Sequence, residues 1–97
     1  MTDFQVALTD HAIADLRALH SGIRDQIHFD LESLKEDPFP SGTRIKRLKN
    51  SRPPVYRLRS GDFRVLYWIR DRTVIILRIV DRKLLDRVIQ RLKIQAP

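Results

Sequence analysis

The second half of the chain alternates between apolar runs and tight turns, and this alternation limits the folds that it can adopt. Three runs with the character of strands, 55–59, 63–69 and 73–80, are separated by the turn sequences Ser-Gly-Asp at 60–62 and Arg-Asp-Arg at 70–72. Such short links join antiparallel neighbours, because parallel strands need a crossover of a dozen residues or more. The runs therefore predict an antiparallel meander. The third run is largely apolar on both faces, which predicts a central position in the sheet.

The first half of the chain reads mainly as helices. Phe4, Val6 and Leu8 alternate with polar or small residues and predict a short strand. Apolar residues then recur at helical spacing in two segments, with a break expected at Ser21-Gly22. The second helix should end at 37–40, where two prolines prevent its continuation. The short link between the helices predicts an antiparallel helical hairpin.

Two further segments complete the predicted order. The basic stretch 41–54 reads as a loop, and its Ser-Arg-Pro-Pro end favours extended or turn backbone. Asp81 is a plausible N-cap for a last helix with one apolar stripe. The order β-α-α-β-β-β-α predicts an α+β fold, with the helical hairpin packed on a small, mainly antiparallel sheet. A chain of 97 residues suits one core, so residues 1–97 are predicted to form a single domain.

Charge is divided unevenly along the chain. Residues 1–43 hold three basic and eight acidic residues, a balance of −5, whereas residues 44–97 hold sixteen basic and four acidic residues, a balance of +12. The second half should therefore attract anions. Nucleic acid is the commonest such partner, although an acidic protein or a membrane surface would also suit this charge.

Composition excludes some chemistry. The chain has no cysteine, so disulfides, zinc–thiolate sites and thiol nucleophiles are ruled out, and a reducing cytoplasm is a consistent location. The spacing of His11, His20 and His28 suggests no metal site, and no cofactor is expected. The longest aliphatic run, residues 74–77, is too short for a membrane span, and no membrane partner is predicted.

Four arginines form the candidate site. Arg57 and Arg59 share one strand face, Arg64 lies on the next strand, and Arg82 follows the last strand at a helix N-terminus. The fixed fork of each guanidinium binds phosphate oxygens in pairs. The basic loop residues Lys46, Arg47 and Lys49 would extend such a groove along an RNA backbone. From charge alone, a solvated or salt-bridged sheet face is an equally good interpretation.

Two segments carry a resemblance to a known family. Residues 31–42 read LESLKEDPFPSG and residues 52–69 read RPPVYRLRSGDFRVLYWI. In order and spacing they resemble the RelE/ParE toxin superfamily, and the short hairpin leading into the Arg-x-Arg strand resembles its RelE-like mRNA interferase branch. The resemblance covers nearly the whole chain. It implies a toxin of a type II toxin–antitoxin system that inhibits translation, together with a small acidic, RelB-like antitoxin as partner.

The resemblance also implies roles for residues. RelE-like members cut mRNA in the ribosomal A site as metal-independent endoribonucleases, and Arg57, Arg64 and Arg82 fall where they place basic catalytic residues. Arg59 falls at a phosphate-binding position. Other positions depart from the pattern: Asp86 and Val88 stand where a tyrosine is common, and Val55 where a lysine is common. Two alternatives therefore stay open, a ParE-like inhibitor of DNA gyrase and a catalytically degenerate binding module.

Overall fold

The computed structural model describes the backbone of residues 3–95 and the side chains of residues 3–92. The strands are β1 (Gln5–Leu8), β2 (Ile45–Arg47), β3 (Tyr56–Ser60), β4 (Phe63–Arg70) and β5 (Thr73–Asp81). The helices are α1 (Asp10–Arg17), α2 (Ser21–Ser33) and α3 (Leu85–Gln95), and a 3-10 turn, Arg82–Leu84, leads into α3.

The five strands form one mixed sheet in the order β1-β5-β4-β3-β2. Strand β1 runs parallel to β5, and the three other pairings are antiparallel. The predicted α+β class, the mainly antiparallel sheet and the meander are therefore confirmed. Strand β5 is an interior strand as expected, although β4 occupies the middle of the sheet.

One prediction about the sheet is wrong. The stretch 41–54 was expected to be a loop, but residues 45–47 form β2, so the order is β-α-α-β-β-β-β-α. Ile45 pairs with Leu58 of β3, and both side chains are buried. A strand of three residues is too short to show an alternation in the sequence, and burial of Ile45 on its neighbour is a tertiary effect.

The break between the first two helices lies earlier than predicted. Helix α1 ends at Arg17, and Ser21, expected to interrupt the helix, is the first residue of α2. His20 precedes α2, and its Nδ1 accepts the Gly22 backbone N–H at 3.4 Å. Asp81 acts as the predicted cap, because its carboxylate accepts the Lys83 backbone N–H at 2.8 Å. The element that it caps is the 3-10 turn rather than an α-helix.

Apolar side chains cover both faces of the sheet. Helices α1 and α2 pack on one face, where the larger core includes Leu16, Ile27 and Val65. Helix α3 packs on the other face, where Leu85 and Val88 meet Leu66 and Val80. Each face of the sheet can therefore be identified by the helices that pack on it. Within the described residues, no helix is long and apolar enough to cross a membrane.

Helix α1 also closes the edge of β5 beyond the end of β1. The carboxylate of Asp15 accepts the Ile79 backbone N–H at 2.9 Å and the Nε–H of Arg78 at 2.8 Å. A second bond joins Arg78 Nη2 to the other carboxylate oxygen at 3.2 Å. Because Asp15 takes the place of a neighbouring strand, the edge of β5 is satisfied without a longer β1.

Candidate functional site

Strands β3 and β4 bring three arginines to the face of the sheet on which α3 packs. Arg57 and Arg59 are two residues apart on β3 and share a face, and Arg59 is paired directly with Arg64 of β4. Arg82 lies beside them, because its backbone N–H donates to the carbonyl of Asp62 in the β3–β4 turn at 2.9 Å. We call these four residues the arginine surface. The structure thus brings together the four arginines that the sequence singled out.

Hydrogen bonds to the turn hold the guanidinium of Arg64 in place. Its Nη1 donates to the carbonyl oxygen of Gly61 at 2.9 Å and to that of Phe63 at 2.8 Å. Gly61 adopts a φ of +56°, a conformation that favours glycine. No hydrogen bond from Nε or Nη2 of Arg64 reaches any part of the chain that the structure describes. Three of the five N–H donors of this guanidinium therefore have no acceptor in the described chain.

Arg57 contributes an unsatisfied donor. Its Nε is buried and finds no hydrogen-bond acceptor among the described residues. Buried polar groups in folded proteins are nearly always paired, and an unpaired donor is costly. Because this atom is buried, Arg57 would act on an anion at the arginine surface through its charge rather than through its Nε–H.

The positive charges of the four arginines repel one another. Burial lowers the pKa of the Arg64 guanidinium, and the charges of Arg59, Arg57 and Arg82 lower it further, with Asp62 acting in the opposite direction. A guanidinium does not lose its proton near neutral pH, so this repulsion remains in the folded state. A bound anion would relieve it, which makes the arginine surface attractive to phosphate groups.

Acidic side chains neutralise this surface only weakly. Among the described residues, the one ion pair made by the four arginines joins Arg82 Nε to Asp62 Oδ1 at 3.8 Å, with side chains 57% and 79% exposed. Pairs so exposed contribute little free energy. The guanidinium of Arg78, in contrast, forms a largely buried ion pair with Asp15. A salt-bridged sheet face is therefore a poor description of the arginine surface.

The three basic residues predicted to extend the site, Lys46, Arg47 and Lys49, do not lie on the same face of the sheet. Lys46 is paired with Arg57 across β2 and β3, so it continues the arginine surface. Arg47 lies on the other face of the sheet, where it pairs with Tyr56 across β2 and β3. Its Nη2 donates to the Ser51 carbonyl at 3.1 Å. Lys49 is exposed in the segment that follows β2. The structure thus joins Lys46 to the arginines and separates Arg47 from them.

Neither tyrosine lies on the arginine surface. Tyr67 is buried in the core beneath α1 and α2, and its hydroxyl donates to the Pro38 carbonyl at 2.7 Å. Burial raises its pKa, and the neighbouring Tyr56 raises it further. The Tyr56 ring lies 5.6 Å from the Tyr67 ring, on the same face. No tyrosine from elsewhere in the fold replaces the one missing from the last helix.

Sequence reasoning overlooked Asp62, which it treated only as a turn residue. In the structure this carboxylate is the acidic group beside Arg82, and its charge also acts on Arg64. Its position directly between the Arg57–Arg59 strand and Arg64 was the available signal, since a two-residue turn must lie next to the last residues of both strands.

The chain is similar to toxins of toxin–antitoxin systems. A family model described as the ParE toxin of the type II toxin–antitoxin system parDE matches residues 6–84. A protein of Methanocaldococcus jannaschii named toxin RelE1 is 37% identical over 82 residues, which are 82% of this chain and 90% of that protein.

Solved structures show the same fold. The toxin–antitoxin complex RelBE2 of Mycobacterium tuberculosis contains a chain with 28% identity and a TM-score of 0.72, covering 82% of this chain and 99% of that one. The archaeal RelE–RelB complex of Pyrococcus horikoshii gives 24% identity and a TM-score of 0.71, covering 84% and 97%. Mutant RelE of Escherichia coli in the free state, at 16% identity, gives a TM-score of 0.65 and covers 97% and 99%.

The fold and these comparisons thus identify a small α+β toxin. The chain belongs to the RelE/ParE superfamily, the toxins of type II toxin–antitoxin systems. The resemblance seen in the sequence is confirmed.

Proposed function

We propose that this toxin inhibits translation by cutting mRNA on the ribosome, and that the arginine surface holds the RNA backbone during cleavage. The observation that carries the proposal is the convergence of four arginines with very little neutralising charge. Single-stranded RNA offers closely spaced phosphates, and such a cluster gains most from binding a chain of them. The RelE names of the relative and of several matched structures favour the same activity.

The chemistry that the arginine surface can support is attack of a ribose 2′-hydroxyl on the adjacent phosphorus. The reaction needs a proton acceptor, stabilisation of the phosphorane and a proton for the departing 5′-oxygen. Arg64 suits the second role, because its Nε and Nη2 have no partner in the described chain, and the charge of Arg57 acts beside it. Arg82 would add charge at the end of the surface, and Arg59 and Lys46 would bind flanking phosphates.

We further propose that a small acidic antitoxin, similar to RelB, covers the arginine surface. Several matched structures are described as RelE–RelB complexes, and the balance of +12 over residues 44–97 favours an acidic segment. Such a segment would compete directly with RNA. The proposed place of action is therefore the cytoplasm, where the ribosome, the message and the antitoxin are all present.

The experiment is induction of the chain without an antitoxin in a bacterial host, followed by mapping of mRNA 5′ ends. We expect new ends inside translated codons, lost in Arg64→Ala and retained in Arg70→Ala. Arg70 is a matched control, because it lies on the same strand and, at an even spacing from Arg64, on the same face, but about 20 Å further along. Both variants lose one positive charge, so a general effect of net charge would affect both equally.

Two outcomes would contradict the proposal. Arrested growth with intact messages and a DNA-damage response would favour a ParE-like inhibitor of gyrase. Normal growth with intact messages, while the protein accumulates, would favour a degenerate binding module. In that case Arg57→Ala and Arg64→Ala should still weaken binding of a partner or nucleic acid and reduce its salt dependence.

A further inference from the structure

The proposed cleavage needs a group that accepts the 2′-hydroxyl proton, and the arginine surface has neither a tyrosine nor a histidine. Both tyrosines face the core beneath α1 and α2. The three histidines, His11, His20 and His28, lie in the segment that forms α1 and α2. Arginine and lysine side chains are poor acceptors, because their ordinary pKa values are about 10 or higher. We propose that the carboxylate of Asp62 is the general base of the reaction, an inference that rests on the proposed function.

The position of Asp62 supports this role. Its carboxylate Oδ1 lies 3.8 Å from Arg82 Nε, and its side chain is 79% exposed. Its backbone carbonyl accepts the Arg82 N–H at 2.9 Å, so the residue is tied to the start of the 3-10 turn. The adjacent Gly61 carbonyl holds Arg64. A phosphate bound between Arg64 and Arg82 would therefore bring its own ribose next to this carboxylate.

Three other carboxylates near these strands, those of Asp81, Asp30 and Asp15, are already engaged. Asp81 accepts the Lys83 N–H at 2.8 Å as a cap. Asp30 accepts the Ser60 hydroxyl at 2.6 Å and an amide N–H of Gln26 at 3.2 Å. Asp15 is bound to Arg78 and the edge of β5. In the described residues, the carboxylate of Asp62 accepts no hydrogen bond, so both its oxygens can accept a proton.

The 2′-hydroxyl gives its proton to the Asp62 carboxylate while its oxygen forms a bond to phosphorus. The bond from phosphorus to the 5′-oxygen breaks, and this oxygen takes a proton from water. The products are a 2′,3′-cyclic phosphate and a 5′-hydroxyl end. Arg57 and Arg64 hold the negative charge that develops on the phosphoryl oxygens.

The test compares Asp62→Asn with Asp71→Asn in single-turnover cleavage of a short defined mRNA on programmed ribosomes. Asp71 occupies the equivalent two-residue turn between β4 and β5, at the other end of these strands. We expect cleavage by Asp62→Asn to fall about 100-fold or more, the range of general base catalysis, while affinity for the programmed ribosome changes less than about twofold. Asp71→Asn should cleave like the unchanged protein.

Chemical rescue separates a base from a structural role. In Asp62→Gly, added acetate should restore part of the lost cleavage, whereas chloride at the same ionic strength should not. Cleavage at the normal rate by Asp62→Asn, a parallel loss of ribosome affinity, or a lost rate that acetate does not restore would each overturn the assignment. In all three cases the unchanged protein still cleaves. If the unchanged protein does not cleave, the proposed function itself fails, and the assignment of Asp62 fails with it.

Discussion

Replacing Arg59 by glutamate should make the fold more stable, although it removes one of the proposed phosphate ligands. Arg59 and Arg64 are direct partners across β3 and β4. Like charges directly opposite on neighbouring strands are destabilising, whereas opposite charges stabilise. The unchanged protein therefore keeps a repulsive pair that a purely structural sheet would avoid, and Arg59→Glu converts it into an attractive one.

The magnitude follows from this pairing and from solvent exposure. Two unit charges about 7 Å apart interact with about 0.6 kcal/mol in water, and physiological salt reduces this further. Replacing repulsion by attraction counts the interaction twice, so we expect a gain of about 0.5–1 kcal/mol in the free energy of unfolding. For a domain of this size that gain corresponds to a rise in Tm of about 2–8 °C.

The assay is urea unfolding followed by fluorescence, for which Trp68 is the single tryptophan. Arg70→Glu is the control, because it changes net charge equally but is paired with Thr73 rather than with an arginine. The advantage of Arg59→Glu over this control should shrink in 0.5 M salt, since screening weakens both repulsion and attraction. Equal stability of the two variants at low salt, or a less stable Arg59→Glu, would refute the electrostatic account of the arginine surface.

Two further predictions concern the core. Asp15→Ala should lower the free energy of unfolding in urea by about 2–4 kcal/mol, because it leaves the half-buried Arg78 guanidinium without its partner. The control Glu32→Ala breaks an exposed ion pair and should lower it by less than about 0.5 kcal/mol. Similar losses in the two variants would contradict the role given to Asp15. Tyr67→Phe leaves the Pro38 carbonyl without its donor and should cost about 1–2 kcal/mol at neutral pH. Because the pKa of Tyr67 is raised in the folded state above its ordinary 10.0, its contribution is complete below that pH and is lost above it. The variant should therefore lose less stability than the unchanged protein as the pH is raised above 10, and an equal loss would contradict the assignment.

The elements that the sequence predicted well are those with long, regular patterns. Strands β4 and β5 were placed within a residue at each end, because two short turns with Gly61 and Asp71 separate clear apolar runs. Strand β2 was missed, because its three residues carry no pattern of their own and are held by pairing with β3. The start of α2 was misplaced because His20, rather than a residue with a stronger capping preference, precedes it.

The candidate site was predictable only in part. Alternation on β3 placed Arg57 and Arg59 on one face, but the sequence does not show which residues face each other across strands. Register decided that Arg64 opposes Arg59 and that Lys46, not Arg47, continues the arginine surface. The position of Asp62 depends on how the 3-10 turn after β5 returns to the β3–β4 turn, through a contact between residues twenty positions apart.

The sequence by itself determined the α+β class, the meander, the family and the division of charge, because these follow from local periodicity, turn residues and composition. Only the tertiary structure decided which charges meet. It set the register that opposes Arg59 and Arg64, it turned both tyrosines towards the core beneath α1 and α2, and it placed Asp62 beside Arg82. The physical reason is that local patterns act within a few residues, whereas a site is made by side chains whose distance depends on strand pairing and on how the faces of the sheet are buried.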